Sequence, residues 1–425
     1  MIKSDTASLL TFYRRHVEEM LLPFWEKALD TRYGGVYTCF NNRGDRLTST
    51  NKYTWSQGRF LWLWAKTAAM ISENRLKGDA AAYVEHLDKT VQFLEDHVFM
   101  QNGNCAFLLS ESGEMLESIP GKGFDTSIYA DCFIVIGLAA FSDLKKDVRR
   151  FEKTLALFNR IRERLETGEF RSEPYPVPPG YRAHSIPMIM LNVTQELAGA
   201  ADTLVRPESG ELNQQAVLYM EDVMDTFCRD DHRVVEMLPE EPTGKESLLY
   251  RHVNPGHTIE SMWFVLHTAL KSGRNTYIPK AVGAIEKAID VGWDRDYGGL
   301  LRFVDKDGGK PRGNRVSDPF EEMIEDSWDM KLWWPHSEAL YSTLLAASLT
   351  DSEKLADDHE KMRKYVFDTF PNPDRSVGEW IQIRDREGKP LDKVAALPVK
   401  DPFHILRNML LILDLLENES RGTAI

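Results

Sequence analysis

The chain has 425 residues, of which 42% are hydrophobic and 28% charged, with a formal net charge of -14. That balance fits a folded chain with a large core and argues against nucleic acid or an anionic membrane surface as partner. Length alone admits two or three domains, and the four scattered cysteines, Cys39, Cys105, Cys132 and Cys228, form no C-x-x-C pair, so neither a disulfide framework nor a zinc ribbon is indicated.

The run from Met1 to Thr6 leads into an amphipathic segment and not into an apolar signal core. The longest apolar run, residues 133–141, is too short to span a bilayer, so a cytoplasmic protein is expected. Over residues 8–29 the apolar positions Leu9, Phe12, Tyr13, Val17, Met20, Phe24 and Trp25 recur at helical spacing. Tyr33-Gly34-Gly35-Val36 followed by Asn42-Arg43-Gly44 reads as a short strand, a tight turn and a return. Helices are predicted from about residue 55, where Trp55, Phe60, Trp62 and Trp64 cluster, and over 79–97. A hairpin at 103–118 precedes helices at 126–141 and 144–167. Helices at 186–204 and 212–229 lead to a hairpin-like stretch at 234–250, and those at 258–272 and 277–293 to a hairpin at 297–308. The last helices are predicted at 331–349, 352–370 and 404–416, with a hairpin at 378–389.

Tyr33-Gly34-Gly35-Val36 is echoed by Tyr297-Gly298-Gly299-Leu300. The unit of helix, hairpin and helix recurs every 60–75 residues or so, which marks a repeat architecture. About twelve helices make six helical hairpins, and six hairpins closed into a ring give an all-α (α/α)6 barrel. The expectation is one catalytic domain over 1–425, with short β-hairpins in the loops. No alternation of buried strands with helices supports a Rossmann or TIM fold.

In such a ring the inner helices point one end at a common funnel. The candidate inner starts are Trp55, Asp125, His184, His257, Trp333 and His404. Asn254-Pro255-Gly256 is turn chemistry, and His257 and Glu260 then share one helix face, so the carboxylate is expected to orient the imidazole for acid/base work. Arg59, in Trp55-Ser56-Gln57-Gly58-Arg59, is either a snorkelling side chain or a fixed guanidinium donating to ligand oxygens. His184 opens a helix with Asn192 two turns on, and both can contact a ligand or pack structurally. Trp333, Trp334 and Glu338 suit a sugar, whose apolar faces stack on indoles while its hydroxyls need acceptors; a buried aromatic cluster is the alternative. His404 and Arg407 share a face and add a second imidazole from a distant part of the chain.

Other features are set aside. Residues 121–126 lack the third glycine of a dinucleotide loop. His252, His257 and Glu260 do not have zincin spacing. Glu321, Glu322, Glu325, Asp326 and Asp329 read as a loop or solvated helix start and not as a metal site. Neither a metal nor a cofactor is expected.

As a set, Trp55-Ser56-Gln57-Gly58-Arg59, Ser127-Ile128-Tyr129-Ala130-Asp131, Asn254-Pro255-Gly256-His257 with Glu260, Lys331-Leu332-Trp333-Trp334 with Glu338, and Phe403-His404 with Arg407 resemble the N-acylglucosamine 2-epimerase family, which includes cellobiose 2-epimerases and aldose–ketose isomerases. The pieces run through nearly the whole chain in the family's order. The resemblance implies an (α/α)6 barrel, cofactor-free chemistry on a ring-opened sugar and a small-molecule sugar as partner, with a homodimer admitted. It implies that His257 and His404 are the acid/base pair, that Arg59 stabilises the enediolate oxygen, and that Glu260, Trp333, Trp334, Glu338 and Arg407 bind or support substrate. Met188 and Asn192 resemble the acylglucosamine branch. Ile405-Leu406-Arg407 departs from that branch's Val-Pro-Arg, and the loop at 397–402 lacks its Trp-rich approach, which leaves the sugar open. The leading expectation is a sugar 2-epimerase interconverting gluco and manno configurations. An aldose–ketose isomerase of the mannose/fructose type is the alternative. A glycoside hydrolase using Glu260 and Glu338, or a non-catalytic sugar binder, ranks behind these.

Overall fold

The computed structural model describes residues 6–421, so the first five residues of the N-terminal run lie outside the described residues. Helix α1 (Thr6–His16) continues through a π turn, Val17–Leu21, into α2 (Leu22–Lys27). Then come α3 (Thr54–Ser72), α4 (Ala80–His97), α5 (Ile128–Lys145), α6 (Val148–Thr167), α7 (Ser185–Thr203), α8 (Ser209–Glu221) and the short α9 (Leu248–Arg251). They are followed by α10 (Pro255–Ser272), α11 (Tyr277–Gly292), the short α12 (Pro319–Ser327), α13 (Trp333–Thr350), α14 (Glu353–Thr369) and α15 (Phe403–Arg421). With α1 and α2 taken as one run and α9 and α12 left aside, twelve helices remain among the described residues.

These helices form an (α/α)6 barrel. Helix α3 packs on α5, α5 on α7, α7 on α10, α10 on α13, α13 on α15, and α15 returns to α3. The outer helices α4, α6, α8, α11 and α14 each lie against their inner partner, and α1 lies against α15 to complete the sixth pair. Sequence sorts the two layers. In α13 every residue from Trp333 to Ala347 except Trp334 is buried, as an inner helix requires. In α6 only the stripe Phe151, Thr154, Leu157, Phe158, Ile161 and Arg164 is buried, as expected of a helix with one face to water. Asp79, Asp147 and Ser352 cap α4, α6 and α14 with their side chains. Glycine sets the tightest crossing: a Cβ on Gly58 of α3 would meet the Phe133 carbonyl oxygen at 2.3 Å, and one on Gly137 of α5 would meet the Gly58 carbonyl oxygen at 2.5 Å.

The loops correct the expected hairpins. A local hairpin does form at 103–118, where Leu108–Leu109 pairs with Met115–Leu116. The expected hairpin at 378–389 keeps a local turn, with a bridge of Arg384 to Pro390 and Leu391 N–H donating to the Ile383 carbonyl at 3.0 Å, but the other pairings of the short strands are long-range. Met237–Pro239 pairs with Tyr181–Ala183, Val304–Asp305 with His252–Val253, and Ile383–Arg384 with Lys331–Leu332. In each case the segment just before an inner helix is bonded by the loop that leaves the same pair's outer helix. Lys52–Tyr53 with Leu108–Leu109, and the bridge of Ser127 to Ser172, obey the same rule. A two-residue strand gains little by folding on itself, and its backbone groups are better satisfied by the neighbouring chain at the mouth of the barrel. Residues 33–45 contain no strand, only the bridges Leu29 to Val36 and Phe40 to Leu47.

The echoed glycine motif is a structural repeat. Gly34 N–H donates to the Asp30 carbonyl and Asp30 N–H to the Gly35 carbonyl, both at 3.0 Å, and Gly298, Asp294 and Gly299 repeat the pattern at 2.8 Å. Each loop presents a carboxylate to a buried lysine two residues before an inner helix: Lys52 lies 2.6 Å from Asp30 and Lys331 lies 3.3 Å from Asp294. Lys400, three residues before α15, makes the corresponding pair with Glu379 at 2.7 Å. These pairs pin the mouth loops. The acidic run at 321–329 covers most of α12 and the turn that ends it. It differs from a wholly solvated start, because Glu321 is buried in a capping box with Asp318 and accepts from Val316 N–H.

Candidate active site

The starts of the inner helices meet at one end of the barrel. Asn254 caps α10 by accepting from His257 N–H at 3.2 Å, Pro255 occupies the first turn, and His257 sits at the rim with 32% of its side chain exposed. His404 stands in the first turn of α15, and its side chain is 9% exposed. Trp334 contacts both rings, with its centroid 5.3 Å from that of His257 and 5.5 Å from that of His404. Gly256 makes room for this indole, since a Cβ there would meet Trp334 Cη2 and Cζ3 at 2.5 Å. Two imidazoles 147 positions apart in the chain thus share one aromatic wall.

Each ring is held through Nδ1 by a buried carboxylate. His257 Nδ1 is 3.0 Å from Glu236 Oε2, and His404 Nδ1 is 2.7 Å from Glu338 Oε1. A neutral ring bonded this way donates from Nδ1 and presents a basic Nε2 to the site. Burial works against a charged His257, but Glu236 outweighs it, and the pKa of the ring is raised. Burial likewise opposes the charge on Glu236, yet His257 and then His184 hold its carboxyl well below the usual range. Glu338 is pulled down to about 2 against its own burial, first by Arg407 and then by His404. It also accepts from the Trp263 indole N–H at 2.8 Å.

This corrects the expected partnership of His257 with Glu260. Glu260 turns to Arg407, whose Nη2 donates both to it and, at 2.7 Å, to Glu338. Glu260 Oε1 also lies 3.6 Å from His404 Nδ1. Spacing of three residues put His257 and Glu260 on one face, but Glu260 is taken by the Arg407 guanidinium, a stronger charge-assisted donor than an imidazole. His184 is wholly buried, with Nε2 3.1 Å from Ser261 Oγ and Nδ1 3.5 Å from Glu236 Oε1, so it backs the Glu236–His257 pair and does not face a ligand. Glu338 at 0% and Arg407 at 2% exposure likewise stand behind the rings they hold. Trp333 is buried, while Trp334, Trp55 and Tyr129 are half-buried, and of these Trp334 contacts both imidazoles. Asn192 is buried on α7.

Arg59 projects from the first turns of α3 with its guanidinium over the rings of Trp55 (4.6 Å) and Phe133 (4.0 Å). It donates to Asp401 Oδ2 at 2.9 Å, and burial lowers its pKa to about 10. Glu236 and Asp401 lie outside the sequence's candidate motifs. A carboxylate inside the apolar run Val234-Val235-Glu236-Met237-Leu238 was a readable sign, because a buried charge demands a partner. Asp401 reads only as a helix cap. Among the described residues, Glu260, Glu338 and His404 bring ligand atoms within 4.8 Å of one another, as a metal site would. Arg407 already donates to both of those carboxylates, and a cation would have to displace it.

Residues 35–407 match the family model described as N-acylglucosamine 2-epimerase (GlcNAc 2-epimerase). The chain is similar to the N-acylglucosamine 2-epimerase of Mus musculus, 28% identical over 422 residues that cover 94% of this chain and 90% of that one. Its fold is similar to that of the cellobiose 2-epimerase from Bacillus thermoamylovorans B4167, with a TM-score of 0.75 at 17% identity over 96% of this chain and 100% of that one. A D-mannose isomerase structure has the same fold, with a TM-score of 0.73 at 18% identity over 95% of this chain and 98% of the other. Among the described residues no helix is long and apolar enough to cross a membrane.

Proposed function

The chain belongs to the N-acylglucosamine 2-epimerase family, and from that premise we propose that it is a sugar 2-epimerase that moves the C2 proton of a ring-opened aldose between His257 and His404. The observation that carries the reading is the pair of imidazoles, each fixed through Nδ1 by its own buried carboxylate and each in contact with Trp334. Inversion at C2 needs removal from one face and delivery to the other. One ring takes the proton at Nε2 while the other, charged and supported by its carboxylate, returns one, and such proton transfer contributes about 100- to 10,000-fold. Arg59 lies where it can stabilise the enediolate oxygen, a contribution of about 3 kcal/mol for a donor of this kind. Trp334 offers an apolar face to the sugar. Glu260 and Arg407 complete the charge balance behind His404.

A hydrolase needs one carboxyl kept protonated as the acid. Glu338, held low by Arg407 and His404, stays ionised and does not suit that part, and Glu260 is engaged by the same guanidinium. In this reading the whole chain acts as one catalytic domain, cofactor-free and cytoplasmic. A homodimer is tested by sedimentation. The deciding experiment incubates the protein with mannose, glucose, cellobiose and N-acetylmannosamine in heavy water. Deuterium at C2 of the epimer is expected. A ketose product would instead assign aldose–ketose isomerisation, and reducing ends released from an oligosaccharide would assign hydrolysis.

A further inference from the structure

Arg59 and His404 meet at a carboxylate for which the proposed chemistry has no use. Asp401 lies two residues before α15 and is 6% exposed. Its Oδ1 accepts from Phe403 N–H at 3.0 Å, a capping bond that serine or asparagine makes equally well. Its Oδ2 accepts from Arg59 Nη1 at 2.9 Å and stands 3.6 Å from His404 Nε2. The backbone around it is fixed, since Asp401 N–H donates to Gln382 Oε1 and Gln382 Nε2 donates to the Asp401 carbonyl, both at 3.0 Å. The carboxylate can therefore leave Arg59 only by turning about its own side-chain bonds.

His404 Nε2 is the nitrogen left free once Glu338 holds Nδ1. An oxygen bonded to Arg59 beside that nitrogen stands where the proposed chemistry puts an enediolate oxygen, one bond from the carbon whose proton moves. We infer that Asp401 Oδ2 fills the enediolate-oxygen position and that Asp401 is a specificity-determining residue, an internal carboxylate which the sugar oxygen must displace from Arg59. This inference rests on the sugar 2-epimerase reading. A tethered anion on a buried guanidinium competes at high effective concentration, so it raises KM for a neutral sugar without slowing the subsequent proton transfers.

The test uses Asp401→Ser and Asp401→Asn, both of which keep the helix cap, with the sugar that the heavy-water panel shows to be turned over. KM is expected to fall about tenfold, with kcat close to that of the wild type. Formate, the smallest carboxylate, should become a competitive inhibitor of Asp401→Ser and leave the wild type unaffected. An unchanged or raised KM, or formate restoring a lost activity, would overturn the inference and make Asp401 a group that positions Arg59. Binding of 13C-formate monitored by NMR gives a readout without turnover. Formate bound by Asp401→Ser alone, in a protein that turns over no sugar, would end the epimerase reading and keep the internal ligand on Arg59. Turnover by the wild type, with no change in KM and no formate binding in either variant, would sink the internal ligand alone.

Discussion

The two histidines are not equivalent at the scale of single residues, because different neighbours hold them. His257 keeps a raised pKa through Glu236 despite burial, so Glu236→Gln should shift the pH–rate limb of His257 to lower pH and cut kcat. A pH profile of kcat/KM checks this, and an unmoved limb would refute the pairing. Removing either imidazole should end net epimerisation, with a loss of about 100- to 10,000-fold. A surviving ring still faces one side of C2. His404→Asn should therefore wash deuterium into one epimer without inverting it, and His257→Asn into the other, as read by NMR. Arg407 shows why pattern and contact can part company: helical spacing correctly placed it with His404, but its two carboxylate partners come from α10 and α13.

Glycine carries much of the geometry at the scale of elements. Gly58→Ala on α3 would drive a methyl group into the Phe133 backbone carbonyl, which cannot step aside as a side chain could. Overpacking of this kind costs about 1–3 kcal/mol, so a lowered Tm is expected. Gly256→Ala acts differently. Its methyl would displace the Trp334 indole that both imidazoles contact, so activity should fall sharply with only a small change in Tm. Helix positions were legible in the sequence to within a few residues, because inner helices are apolar all round and outer helices carry one stripe. The strand partners were not legible. Two-residue strands leave no periodic signal, and their long-range pairing is decided by which loop lies over which helix start.

Buried charge dominates pH behaviour at the scale of the whole molecule. Glu338 has its pKa depressed from 4.5 to about 2, and Glu236 is depressed as well. A carboxylate with a lowered folded-state pKa contributes stability that is present above its unfolded value and lost as pH falls through the folded one. Unfolding free energy should therefore drop between about pH 4.5 and 2, and Glu236→Gln should lessen that drop. Denaturant titrations across this range check it. His257 has the opposite sign: its contribution is full at low pH and fades as pH rises through its raised pKa.

The sequence by itself determined the layers and the candidate chemistry, since burial periodicity, caps, turn glycines and the order of the imidazole- and indole-bearing helix starts are all local properties. It could not decide which acid holds which base. That choice is made where helices from six hairpins converge, and it goes to the strongest donor within reach, so Glu260 passes from His257 to Arg407 while Glu236 and Asp401 arrive from loops. A hydrogen bond depends on a few ångströms in space, and closing the ring sets those distances between residues that the chain keeps far apart.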